Sequence, residues 1–158
     1  MSSHTSMPEQ EEPVAFVPDG AYPVAEQVLV RASRSYLAHV AAGQMHCQRL
    51  PATFEARGVR HVYVSWTRVL DLLVAHSAEP LQVRTACCRH LEKHERALVA
   101  SLRKLSNGDD LGYVRAMHAV MPIRIVAKAR RDMREVAEAL PTIEQCWQMN
   151  PIAGTPNR

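Results

Sequence analysis

Aromatic side chains are scarce in this chain, 5% of 158 residues. A β-sandwich draws its core from aromatic and β-branched residues, so a core supplied by alanine, valine and leucine argues for helices. Long apolar runs are missing too, and none reaches the roughly 20 residues that span a bilayer. Lysine and arginine are absent from residues 1–20, where Glu9, Glu11, Glu12 and Asp19 fall. That is the reverse of an Arg-rich, acid-poor mitochondrial presequence. Cysteine is limited to Cys47, Cys87, Cys88 and Cys146, with no secretory leader before them. Cys87 and Cys88 are adjacent, and neighbouring residues rarely reach disulfide geometry. Reduced thiols in an intracellular compartment are therefore expected.

The familiar catalytic signatures are absent as well. The chain has no GxSxG, no GxxxxGK[ST], no HExxH and no GxGxxG, so the usual acyl-transfer, nucleotide and zinc-protease chemistries have no local motif to stand on. A c-type haem needs CxxCH, which does not occur. A di-iron site needs paired ExxH sets; Glu92 and Glu95 lie near His94, but no second set accompanies them. No enzyme is expected.

What is present reads as a folded helical domain. Hydrophobic residues make up 47% and charged residues 22%, a globular rather than a disordered balance. The acidic start leaves the rest of the chain with 19 basic side chains against 12 acidic ones, once those four are taken from the total of 16. A solvated surface accounts for this excess; a basic body facing an acidic protein, a nucleic acid or anionic lipid is the functional alternative.

Residues 1–22, broken by Pro8, Pro13 and Pro18, are expected to form an extended tail. A first helix starts at Pro23, with Val24, Val28, Ala32, Tyr36 and Val40 on its apolar stripe, and ends near Gly43. A connector follows around Pro51. In GVRHVYVSWTRVLDLLVAH the residues Val59, Val62 and Val64 suggest a short extended lead-in, and a helix is expected from a cap at Ser65 to His76. Pro80 opens a long third helix with Leu91, Leu98 and Leu105 on one seam. Cys88, Glu95 and Leu102 lie on a second seam, with Glu95 its one polar position. The Asn107-Gly108 break separates it from a helix carrying Leu111, Val114, Met117 and Met121. Pro122 interrupts that helix. The last helix carries Val126, Ala129, Met133, Val136 and Leu140, and Pro141 ends it. The expected architecture is an all-α antiparallel helical bundle of three to five helices over residues 23–141. Its core is a hairpin over about 80–140, and its tails at 1–22 and 142–158 are extended.

Two stretches invite chemistry. CCRHLEKH places Cys87, Cys88, His90 and His94 close together; His90 and His94, four apart, share one helical face with Cys87 three before His90, a spacing that can hold zinc. A structural zinc site draws ligands from several segments, and His46-Cys47 offers no CxxC frame, so solvated histidines and a core cysteine are expected instead of a metal or cofactor. The run KARRDMRE carries Lys128, Arg130, Arg131 and Arg134 interleaved with Asp132 and Glu135. Without aromatics to stack bases it reads as a solvated or interface face, with RNA inside a large assembly as the alternative.

The stretch SWTRVLDLL, then VRTACCRHLEKHERALV, a glycine-bearing break, and ARRDMRE resemble the alpha-subcomplex subunit five family of mitochondrial respiratory complex I. The similarity covers roughly Gly58 to Pro141, with Trp66, Arg68, Leu70 and Leu73 standing where the family has an aromatic, a basic residue and paired leucines. The family's tryptophan-rich exit is not reproduced, and the first fifty-odd residues have no counterpart. The resemblance implies a non-catalytic accessory subunit on the matrix side of the inner membrane, with other protein subunits as partners and no cofactor. A structural subunit of a mitochondrial ribosome or ATP synthase, a self-assembling helical coat, or a small Cys/His metal-binding protein are the alternatives.

Overall fold

The computed structural model describes residues 22–43, 49–85 and 90–149. The expected N-terminal tail, apart from Tyr22, lies outside them, as do Cys47, Cys87 and Cys88. The described residues are all-α, with no strand among them, and form six helices: α1 (Val24–Ala41), α2 (Arg49–Ala56), α3 (Arg60–His76), α4 (Lys93–Ser106), α5 (Asp110–His118) and α6 (Ile123–Met149). The expectation of three to five helices is corrected to six. The connector around Pro51 is itself a helix, with Pro51 in its first turn, where a missing N–H costs little.

α1 begins and ends where its punctuation predicts. Pro23 occupies the N-cap, and Gly43, at φ +63, takes the left-handed turn after the last residues. Its orphan first-turn amide at Ala25 is capped from afar by Glu144 Oε2 of α6, at 2.6 Å. An anion there also suits the positive end of the helix.

The extended lead-in before Ser65 does not form. α3 is helical from Arg60, and Ser65 sits within it, donating to Glu135 Oε2 at 2.6 Å rather than capping. Val59, Val62, Trp66, Val69, Leu70 and Leu73 are all buried. Their spacing of three and four is the helical period, and burial against α6 overrides the local β preference of the valines.

The helix expected from Pro80 is not found in residues 81–85 or 90–92, and α4 begins at Lys93. Residues 81–85 are non-helical, and α4 starts at a reciprocal capping box. Glu92 caps the backbone of Glu95, and Glu95 accepts the Glu92 amide at 2.9 Å. Leu91 therefore precedes the helix it was expected to line, and the hairpin core expected over 80–140 begins later in α4. At the other end, Gly108 turns left-handed at φ +73, and Asp109 caps α5 by accepting from Gly112 N at 2.8 Å.

α6 runs through Pro141 to Met149, so the extended tail expected from residue 142 is helical as far as it is described. Proline at 141 removes one i to i−4 bond, but the helix continues because its next turns are anchored. Ile143 and Trp147 are buried. The Trp147 ring lies 5.0 Å from that of Phe54, and the Arg57 guanidinium stacks 4.4 Å above it. α6 packs on α1, α3, α4 and α5, and one core runs from Leu29 and Leu37 through Trp66 and Leu98 to Met133 and Trp147.

If the turns beyond Pro141 are part of the core, Trp147→Ala costs about 3–5 kcal/mol, measured as a lowered urea midpoint; a detached tail would leave the midpoint unchanged.

Candidate functional site

The densest buried chemistry lies between α1 and the start of α4. Arg34 and Glu95 are both almost wholly buried, at 3% and 1% exposure. Arg34 Nε donates to Glu95 Oε1 at 2.7 Å, and Nη2 donates to Oε2 at 2.9 Å. This two-pronged geometry fits a guanidinium fork to a carboxylate. The same guanidinium reaches the carbonyls of Thr85 (3.2 Å) and His90 (2.7 Å). Arg34 thus ties the non-helical segment ahead of α4 to α1. Carbonyls that a helix would satisfy internally are satisfied by a side chain from elsewhere, which accounts for the late start of α4.

His94 sits in the first turn of α4 and is 4% exposed. Burial holds its imidazole below its ordinary pKa; Arg34 adds to that, while Glu95 and Glu92 oppose it. A cavity of about 100 Å³ opens beside it, between Ser77–Gln82, Glu92, Lys93 and the Ala119–Val120 turn. On the other side of residues 77–83 lies an open groove of about 430 Å³, walled by Leu37 and Val40 of α1 and Val74 of α3.

The cluster read from CCRHLEKH does not assemble as a helical face. His90 is exposed and precedes α4, whereas His94 is buried within it. The i, i+4 argument needs one continuous helix, and that condition fails. Cys87 and Cys88 lie outside the described residues. Among the described residues no group of three or more His, Cys, Asp or Glu side chains is placed to hold a metal.

The KARRDMRE run divides in two. Arg130 Nη2 and Arg134 Nη2 converge on the carboxylate of Asp110, at 2.7 and 3.0 Å. Its acids turn toward α3, Asp132 to Arg68 at 3.6 Å and Glu135 to Ser65. Lys128 and Arg131 stay exposed with no ion pair among the described residues, and Arg124, one turn earlier, does the same. Residues 124, 128 and 131 are four and three apart, so they form one stripe along the outward face of α6.

Sequence reasoning passed over Arg34 altogether and met Glu95 only as an irregularity in a seam. The signal was there: a carboxylate at a buried heptad position requires a buried cation, and Arg34 is an arginine of α1 that lies outside its predicted stripe. Other polar groups serve the fold. Tyr113 donates to the Val126 carbonyl at 2.8 Å, with its hydroxyl pushed up to about 12 by burial. Arg103 is held charged by its two hydrogen bonds to Glu26, at 2.7 and 2.8 Å.

A lowered His94 pKa makes stability depend on pH with a definite sign. Below about 6.5 the unfolded chain takes up a proton that the folded imidazole refuses. Stability is then lost as pH falls through 6.5 toward the folded pKa, and this site leaves it unchanged above. Urea midpoints from pH 7.5 to about 5 fall less steeply in His94→Gln than in the native chain; parallel curves would place the dependence elsewhere.

No helix among the described residues is long and apolar enough to cross a membrane. Set beside known proteins, the chain matches no family model, no curated protein and no solved structure at a significant level.

Proposed function

We propose that this chain is a non-catalytic accessory subunit of a large assembly, and that the assembly is mitochondrial respiratory complex I, where it packs on the matrix arm and supports assembly and stability. One observation carries the docking role. The outward face of α6 presents Arg124, Lys128 and Arg131 without carboxylates of their own among the described residues, while Arg130 and Arg134 beside them are neutralised by Asp110. A stripe of one sign on a rigid helix steers and orients an oppositely charged surface. Buried charge in this chain is committed to holding helices together, as Arg34–Glu95 and Glu26–Arg103 do. The name of the assembly rests on the resemblance of SWTRVLDLL and ARRDMRE to the complex I family. Trp66, Leu70 and Leu73 of the first stretch are core residues, and Arg68 is exposed. The same reading arranges the helices as an antiparallel bundle. In its support, the pairs Ser65–Glu135 and Arg68–Asp132 run in opposite chain directions along α3 and α6.

Tagged in its native cell and released with mild detergent, the chain is expected to co-migrate on a native gel with NADH dehydrogenase activity. The charge-reversed variant with Arg124→Glu, Lys128→Glu and Arg131→Glu is expected to run free of it while keeping its helical content. A native chain that runs with ribosomal or ATP synthase subunits refutes the complex I assignment. One that runs alone refutes the accessory role.

A further inference from the structure

The basic stripe on α6 borders two large apolar side chains that the core does not use. Along the flank of α6 next to α5, Ile123, Ala127, Arg130 and Arg134 are all exposed. They are spaced four, three and four apart, so they share one edge of the helix. Asp110, at the start of α5, meets the last two, at 2.7 and 3.0 Å. Leu111 follows Asp110 and is 59% exposed, and Ile123 is 56% exposed. Arg130 and Arg134 lie two and three turns along α6 from Ile123, so Leu111 stands roughly 10–16 Å from Ile123 along that axis. The charge between and beside them is one-sided. Among the exposed residues of 110–111 and 123–134, Arg124, Lys128, Arg130, Arg131 and Arg134 stand against Asp110 alone.

A basic face fits three kinds of anionic surface, and the uncharged side chains choose among them. Nucleic-acid binders stack bases on exposed aromatics, and Tyr113, the aromatic of this region, is buried. A protein interface gathers its apolar groups into a fitted centre with a polar rim. Leu111 and Ile123 stand two to three helical turns apart with cations around them, which is the reverse arrangement. A bilayer surface accepts apolar side chains one at a time at the boundary of headgroups and acyl chains, and its anionic headgroups attract the surrounding cations.

We propose that the α5–α6 face docks on an anionic phospholipid bilayer, with Leu111 and Ile123 entering the headgroup–acyl boundary and Arg124, Lys128 and Arg131 set against headgroup phosphates. The long stems of these cations lie along apolar surface while their charges stay at the phosphate level. The inference rests on the docking reading of the α6 stripe and names the surface that the stripe meets.

Co-sedimentation of the purified full chain with vesicles tests it. The chain is expected to pellet with vesicles of phosphatidylcholine mixed with phosphatidylglycerol, and to stay in solution with phosphatidylcholine alone. Binding to the mixed vesicles falls severalfold as salt rises from about 0.1 M to about 1 M. One basic side chain at such a surface strengthens binding about fivefold, so Lys128→Glu weakens it by at least that factor. Arg60→Glu makes the same charge change at the exposed start of α3 and is expected to leave most of the binding. The double variant Leu111→Ser and Ile123→Ser keeps every charge and changes only exposed side chains, so it is expected to keep its helical content and still bind severalfold more weakly. Equal binding to the neutral vesicles, equal losses in Lys128→Glu and Arg60→Glu, or undiminished binding of the serine variant would each overturn the proposal. So would a chain that ignores the vesicles but is retained on polyglutamate or polyuridylate, which would point to a protein or an RNA instead. The vesicles contain no protein, so failure here is separable from failure to co-migrate with NADH dehydrogenase activity.

Discussion

Arg34 and Glu95 bring opposite charges from α1 and α4 into a place water does not reach. Taking two ions out of water costs several kcal/mol each, and their attraction roughly repays it when the geometry is good. The pair is therefore a device for position more than a source of net stability. Glu95 is engaged three ways at once. It accepts from Arg34 Nε and Nη2, and it accepts the Glu92 amide that starts α4. Arg34 in turn grips the carbonyls of Thr85 and His90. The start of α4, the path of the segment before it, and the seat of α1 thus share one pair of side chains. The burial of His94 and the cavity beside it follow from that placement.

Elsewhere acids at different depths tie helices together: buried Glu26 to Arg103, half-buried Glu144 to the first turn of α1, and exposed Asp71 to the Tyr36 hydroxyl. Burial, with the Asp71 contact beside it, pushes the Tyr36 hydroxyl far above its ordinary value, so it donates and stays neutral. At the surface, Asp110 gathers two arginines of α6, and the adjacent stripe is left cationic. The proposed docking role takes its orientation from this division, in which α6 gives one face to the core and an unneutralised face to the outside.

The class of fold was legible because it depends on period and punctuation. α1 was readable at both ends, where Pro23 and Gly43 carry their own backbone preferences. α5 was readable from its Asp109 cap and the Asn107-Gly108 break. The errors fall where a distant contact overrules a local signal. Val59, Val62 and Val64 looked extended, yet Val59 and Val62 belong to the stripe that continues through Trp66 and Val69 into the core. Pro141 looked like a stop, yet Trp147, packed at a tilt against Phe54 and under the Arg57 guanidinium, holds the helix beyond it. Pro80 looked like a start, yet Arg34, 51 residues from Thr85 in sequence, holds the following segment out of the helix. The reading of CCRHLEKH as one helical face failed with that start. The basic run on α6 was visible as composition, but its division into a neutralised pair and a free stripe needed the position of Asp110.

The central claim is that Arg34 and Glu95 act as one unit that fixes α4 against α1. A double-mutant cycle measured by urea unfolding tests it most directly. The account predicts that Arg34→Met or Glu95→Leu alone costs about 3–5 kcal/mol, because each strands a buried charge, and that the double variant recovers most of that loss. Single losses below about 1 kcal/mol, in the range of exposed ion pairs, or losses that simply add, would contradict it.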